Sequence, residues 1–121
     1  MELVITAIRR NKLRPTRFYS SQQERRVAKA VNGKQTANSG ATAWSKGDVT
    51  SDLFLLECKT HTAPREQMTV RRDWILKNRE EAFQMGKHHS AVVIDFGDGE
   101  NHYIVSEKDF LYLLERLREE E

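Results

Sequence analysis

Glu57 and Lys59 place an acid and an amine two positions apart, at the end of an apolar segment. They follow the apolar run 53–56, so the segment 53–59 is predicted to be a β-strand that leaves the core at its polar end. Side chains two positions apart on a strand share a face, which brings the acid and the amine together. Such a pair can supply a metal ligand and a positive charge beside a phosphodiester. An ion pair at the surface is the common alternative for a motif this short.

Asp48 offers a second carboxylate upstream of this strand. If the two segments pair as a hairpin, with residues 49–52 as the turn, the carboxyl groups of Asp48 and Glu57 meet. Carboxylate oxygens are the ligands that Mg²⁺ prefers, and bound Mg²⁺ can activate water for attack on phosphorus. The pattern therefore predicts metal-dependent hydrolysis of a phosphodiester.

Glu24 is a further acidic candidate, on a helix predicted from Ser20 or Ser21 to about Asn32 and ended by Gly33. A carboxylate buried without a partner on the apolar stripe of a helix costs several kcal/mol, so it is either neutralised or met by a cation. A capping box with Ser21 is the alternative, and the two roles can coexist. The apolar residues that share its face are Val27, Ala28 and Val31.

The elements that must position these residues alternate between helices and strands. An irregular strand is predicted over 37–44, and a helix over about 66–85 follows the strand 53–59. Next come a strand over 91–96, a hairpin turn at 97–100, a strand over 102–105 and a helix capped by Ser106. This order predicts an α/β fold with a small mixed sheet flanked by helices.

Composition limits the chain to one compact domain, because 121 residues with 38% hydrophobic content can bury a single core. No stretch is apolar for the roughly 18 residues of a membrane span, and no signal peptide is evident. The one cysteine, Cys58, cannot form an internal disulfide and is expected to be a buried core residue. We therefore expect a cytoplasmic protein with no membrane association.

Charge is distributed unevenly along the chain. Residues 1–36 carry nine Lys or Arg and two Glu, a net charge of +7, whereas the remaining residues have a net charge of −5. A basic segment of this kind favours contact with nucleic acid, although a solvated tail gives the same composition. The candidate DNA-binding residues are Arg9, Arg10, Lys12, Arg14, Arg17, Arg25, Arg26 and Lys46.

Gly47-Asp48 followed by Glu57-Cys58-Lys59 resembles the motif of the PD-(D/E)xK nuclease superfamily, with Gly47 in place of the proline. With Glu24-Arg25-Arg26 and the small-residue segments Ser39-Gly40-Ala41 and Ser45-Lys46-Gly47, the chain is similar to archaeal-type Holliday junction resolvases and their phage relatives. The short interval from Asp48 to Glu57 and the basic N-terminus depart from that family's pattern.

This resemblance implies a restriction-endonuclease-like core over 20–121, behind a basic arm over 1–19. It implies a homodimer that cuts four-way DNA junctions, inside the host cell if the protein is phage-encoded. Mg²⁺, replaceable by Mn²⁺, would be bound by Glu24, Asp48 and Glu57. Lys59 would lie beside the scissile phosphate, and Ser39 or Ser45 would lie near the metal.

Two other functions fit the same residues. One is a restriction-type or repair-type endonuclease of the same superfamily that acts on linear or nicked DNA. The other is a non-catalytic nucleic-acid-binding domain that depends on the basic segment, although carboxylates near phosphate would not help such a domain.

Trp44 and Trp74 are expected to be core or interface aromatics.

Overall fold

The computed structural model of the chain describes residues 15–36 and 48–120. The described elements are α1 (Thr16–Ala30), β1 (Lys34–Gln35), β2 (Val49–Thr50), β3 (Phe54–Thr60), α2 (Arg72–Gln84), β4 (His89–Asp95), β5 (Asn101–Ile104) and α3 (Glu107–Glu120). The five strands form one sheet in the order β1-β2-β3-β4-β5. Only the β3–β4 pair is parallel, so the sheet is mixed. The predicted α/β class with a mixed sheet is confirmed.

The β2–β3 hairpin connects Asp48 to the strand that contains Glu57. Val49 pairs with Leu56 and Thr50 pairs with Leu55, in an antiparallel register. The amide of Ser51 donates to the carbonyl oxygen of Phe54 at 2.9 Å and closes the turn. The predicted hairpin is present, but the prediction that 49–52 are all turn residues is wrong, because Val49 and Thr50 belong to the strand.

Helices cover both faces of the central strands. Leu56 and Cys58 pack in one core cluster with Val27 of α1, and each such apolar side chain contributes roughly 1.5–3 kcal/mol by its burial. Toward the other helix, the side chain of Asn78 on α2 donates to the carbonyl oxygens of Leu55 and Ala91, both at 3.1 Å. Strand β3 is therefore held by α1 and α2 together.

Helix α1 begins earlier than its sequence suggests. Its first residue is Thr16, preceded by Pro15, so the predicted start at Ser20 or Ser21 is wrong. Proline suits this place because its fixed φ is compatible with a helix start and its missing N–H is not needed there. Ser21 therefore lies inside the helix and not at its N-terminus, so the predicted capping box with Ser21 is wrong.

The end of α1 explains a glycine requirement. Asn32 adopts a left-handed φ of 54°, and the amide of Gly33 donates to the carbonyl oxygen of Ala28 at 2.8 Å. A Cβ atom on Gly33 would lie 2.1 Å from the carbonyl oxygen of Thr50. Glycine at this position therefore allows the helix end to approach β2.

The remaining predicted elements agree only in part with those of the structure. Helix α2 begins at Arg72 rather than near Glu66, whereas Ser106 caps α3 by accepting a hydrogen bond from the Asp109 amide at 3.2 Å. The predicted turn at 97–100 does join two antiparallel strands. The predicted strand over 37–44 lies outside the described residues. Within 15–36 and 48–120, no helix is both long and apolar enough to cross a bilayer.

Candidate active site

Asp48 and Glu57 oppose each other across the β2–β3 hairpin. The register that pairs Val49 with Leu56 places Asp48 opposite Glu57, and the Asp48 amide donates to the Leu56 carbonyl oxygen at 3.0 Å. Directly opposed residues project from the same face of a sheet. Their two carboxyl groups form a hydrogen bond with each other. We call these two residues the acid pair.

The backbone holds Asp48 at three points. Besides the amide contact with β3, its carbonyl oxygen accepts a hydrogen bond from the Thr36 amide at 3.0 Å. Its Oδ2 atom accepts a hydrogen bond from the Cys58 amide at 2.7 Å. The carboxylate of Asp48 is thereby fixed beside β3 by groups that do not depend on flexible side chains.

The environment of Glu57 disfavours its ionised form. The pKa of Glu57 is raised to about 8, first by burial and then by the hydrogen bond and charge of Asp48, against a lowering by Lys59. At neutral pH the pair therefore holds a proton between two groups that are both normally ionised. Glu81 of α2, which the sequence analysis missed, adds a negative charge near Glu57.

Glu24 of α1 lies near the acid pair. Its pKa is raised by burial and then by the charge of Asp48, while a hydrogen bond with Gln35 and the charge of Arg17 lower it. The charges of Glu24 and Asp48 therefore interact, while the role of Glu24 as a metal ligand stays a prediction. Gln35, on β1, had no signal in the sequence that would have linked it to Glu24.

Lys59 lies two residues beyond Glu57 on the same strand face. Its Nζ atom is 4.7 Å from the ring centroid of Trp74, and its charge acts on Glu57. Its carbonyl oxygen accepts a hydrogen bond from Nε2 of Gln23 at 3.0 Å. From the sequence, Trp74 was expected to be a core or interface aromatic, and Gln23 had no signal that would have linked it to the site. Both nevertheless contact the candidate catalytic lysine.

Cys58 lies between Glu57 and Lys59 in the sequence. Its side chain is buried in the core, as expected. Burial raises the pKa of its thiol, and the charges of Asp48 and Glu24 raise it further. A thiol held in its neutral form is a poor nucleophile. Its amide, by contrast, contributes directly to the site through the hydrogen bond to Asp48.

The site offers carboxylate oxygens to a divalent cation. In the part of the chain that the structure describes, no three His, Cys, Asp or Glu side chains are grouped to hold a metal ion. Mg²⁺, however, is commonly bound through one or two carboxylates and keeps several of its waters. Two opposed carboxyl groups fit this smaller requirement, because a cation offsets both the burial and the neighbouring Asp48 charge that raise the pKa of Glu57.

The candidate DNA-binding residues divide into two groups. Arg17 and Arg25 are exposed on α1, whereas the Arg26 guanidinium is bound to the buried Asp95 carboxylate at 2.7 Å. Part of the Arg26 charge therefore serves the fold. The other candidate site residues lie outside the described residues: Arg9, Arg10, Lys12, Arg14, Ser39, Ser45 and Lys46.

Comparisons of the chain with protein-family models, with curated proteins and with solved structures found no match. The described site consists of the acid pair, Lys59 on the strand of Glu57, and Glu24 on α1, which interacts electrostatically with Asp48.

Proposed function

We propose that this protein is a Mg²⁺-dependent DNA endonuclease that hydrolyses phosphodiesters at four-way junctions. The observation that carries the proposal is the acid pair, with its two carboxyl groups in contact and Lys59 following on the same face of β3. Structural acids are normally surrounded by donors, and a pair of mutually repelling acids is typical of a functional site. A cation and a phosphate are the partners that this arrangement accommodates.

Each residue of the site has a role in this proposal. Asp48 and Glu57 would hold Mg²⁺ through carboxylate oxygens. Glu24, on α1, would add a further negative charge near Asp48. Bound Mg²⁺ supplies an activated water and polarises the phosphoryl oxygens. The ammonium of Lys59 stabilises negative charge that develops on the phosphoryl oxygens during the attack. The proton shared by the acid pair must leave before both carboxylates can act as ligands.

The order of elements supports the same proposal. A helix bearing Glu24, a hairpin bearing the acid pair, a helix and two further strands follow one another in the chain. This is the order that the resemblance to junction resolvases of the PD-(D/E)xK superfamily implies, with a restriction-endonuclease-like core. The exposed Arg17 and Arg25 lie on the helix that carries Glu24, where they can meet DNA phosphates.

A two-fold homodimer completes the proposal, because a four-way junction must be cut on two strands and each chain supplies one site. Helix α3 supports it with apolar side chains that one chain leaves exposed, namely Phe110, Leu111, Leu113 and Leu117. A dimer interface of ordinary size would bury about 800 Å² per chain. Light scattering should report a dimer at micromolar concentration, and a monomer both with and without DNA would contradict this part of the proposal.

The proposed activity is tested by cleavage of a four-way junction and a linear duplex of the same sequence, with Mg²⁺ or with EDTA. We expect Mg²⁺-dependent cleavage that favours the junction. Asp48→Asn and Glu57→Gln should lower the rate at least about a thousandfold while junction binding survives, because the carboxylates hold the cation and affinity comes mainly from basic residues.

Asp52→Asn is the matched control, since Asp52 is an exposed acid on the turn of the same hairpin. It should cleave like the wild type. Full activity of Asp48→Asn in Mg²⁺ would overturn the site. Cleavage of the duplex and the junction at equal rates would retain the chemistry and assign the protein to linear DNA. Tight binding by a wild type that never cleaves would indicate a non-catalytic DNA-binding domain.

A further inference from the structure

Lys59 is held from both faces of the sheet. On the α1 side, Gln23 is fully buried and its Nε2 atom lies within hydrogen-bond distance of three oxygens: the Lys59 carbonyl at 3.0 Å, the Val93 carbonyl at 3.2 Å and Asn101 Oδ1 at 3.2 Å. A buried amide without partners would cost several kcal/mol, so these contacts are needed for Gln23 to be there at all. They fix the main chain of Lys59 against β4 and β5.

The side chain of Lys59 is held on the α2 side. Its Nζ atom lies 4.7 Å from the ring centroid of Trp74, within the range of a cation–π interaction. One turn further along α2, Asn78 is buried and donates to the carbonyl oxygens of Leu55 and Ala91. Because Asn78 ties α2 to β3 and β4, the Trp74 ring is carried by a helix of fixed position.

A ring differs from a carboxylate as a partner for this lysine. A carboxylate would neutralise the ammonium and compete with a phosphate for its N–H groups. An aromatic face attracts the ammonium through its quadrupole and carries no net charge, so the ring does not neutralise Lys59. The lysine side chain has a flexible four-carbon stem, which otherwise leaves the position of the charge undefined.

We propose that Trp74 is a positioning residue whose ring holds the Lys59 ammonium beside the acid pair, ready for the scissile phosphate. This role rests on the proposed nuclease function. Trp74 acts through Lys59 and does not itself touch the reacting atoms. Gln23 fixes the main chain of Lys59, and Trp74 restricts its side chain to few conformations. The ammonium is therefore already positioned when the phosphate binds.

The test uses the full chain with Trp74→Phe and Trp74→Leu. Phe83→Leu serves as the matched control, because Phe83 is a strongly exposed aromatic on the same helix. The first measurement is the NMR shift of the Lys59 ε-methylene protons in EDTA, compared with Lys59→Ala for assignment. The ring current of Trp74 should shift these protons upfield in the wild type and less so in Trp74→Phe. The shift should disappear in Trp74→Leu and persist in Phe83→Leu.

The second measurement is the steady-state cleavage of the four-way junction in Mg²⁺. Trp74→Leu should lower kcat about tenfold to a hundredfold with KM within about twofold of the wild type, because the lost interaction is needed in the transition state. Trp74→Phe should recover most of the loss, since a phenyl ring still attracts a cation. Thermal unfolding of both variants shows whether the core is intact.

Each outcome separates this role from the proposed function. If the wild type cleaves the junction but Trp74→Phe and Trp74→Leu have the same kcat as each other, the role of Trp74 is overturned. The proposed function would then still stand. An unchanged Lys59 shift in Trp74→Leu would also overturn the role of Trp74, whatever the rates. A wild type that does not cleave any DNA would overturn the proposed function, and with it the role of Trp74 in catalysis.

Discussion

The turn after β4 and the acid pair both contain a carboxyl group removed from water, and the two differ in what surrounds it. Asp95 is 2% exposed, and its partners among the described residues are donors: Arg26 at 2.7 Å, the Gly97 amide at 2.7 Å and the Gly99 amide at 3.1 Å. Glu57 is met by a second carboxyl group, that of Asp48. The first arrangement stabilises a turn. The second opposes the folded state, which is expected where a site is built for a partner with positive charge.

The largest effect on stability is expected at the turn. Asp95→Ala removes the acceptor for Arg26 and for two backbone amides, and should lower the free energy of unfolding by about 3 kcal/mol. Urea denaturation followed by circular dichroism measures this loss. Asp73→Ala is the control, because the exposed ion pair of Asp73 with Arg71 should leave stability unchanged. Equal losses in the two variants would remove the contrast between buried and exposed acids.

An intermediate effect is expected from pH at the acid pair. In EDTA, the raised pKa of Glu57, about 8 against an ordinary 4.5, means that the folded state binds the proton more tightly than the unfolded state. Stability from this group is therefore fully present below pH 4.5 and is lost as pH rises toward 8, by on the order of 1–2 kcal/mol after allowance for solvent screening.

Glu57→Gln should remove this part of the pH dependence, because glutamine does not titrate. Denaturation midpoints measured from pH 5 to pH 8.5 in EDTA provide the test. Glu57→Gln should be more stable than the wild type at pH 8.5. A wild-type midpoint that rises over this interval, with no difference in the variant, would contradict the assignment of the raised pKa to Glu57.

The smallest effect is expected from Glu24. Burial and the charge of Asp48 raise its pKa, but Gln35 and Arg17 partly offset this. Glu24→Gln should therefore stabilise the protein at pH 8.5 in EDTA by less than Glu57→Gln does. A larger gain from Glu24→Gln in the same denaturation series would place the main repulsion at Glu24 and revise the description of the site.

Local patterns in the sequence predicted the elements whose signals lie close together in the chain. The apolar run before Glu57 predicted β3 to within one residue at each end, and Ser106 predicted the start of α3. The hairpin that joins Asp48 to the strand of Glu57 was also predicted, although its turn was placed over 49–52 and is shorter than that. In each case the signal and the structure involve neighbouring segments, so strand alternation or capping chemistry was enough.

The sequence could not predict contacts made between distant segments. Gln23 is a polar residue in a helix, and its burial depends on carbonyl groups of β3 and β4. The contact of Trp74 with Lys59 depends on where α2 packs, and the predicted start of α2 was itself wrong by several residues. Pro15 began α1 without a side-chain cap, so the serines nearby gave a misleading signal.

The hydrogen bonds of Gln23 also have a consequence for when the site is completed during synthesis. The acid pair is joined by a short hairpin, which closes at little cost in chain entropy and within microseconds. The bonds of Gln23 span 36 residues to Lys59 and 78 residues to Asn101. A nascent chain that has not yet released β5 from the ribosome can bring its two acids together but cannot complete the Gln23 contacts. The contacts through which Gln23 fixes the main chain of Lys59 are therefore completed only when the last strand is available.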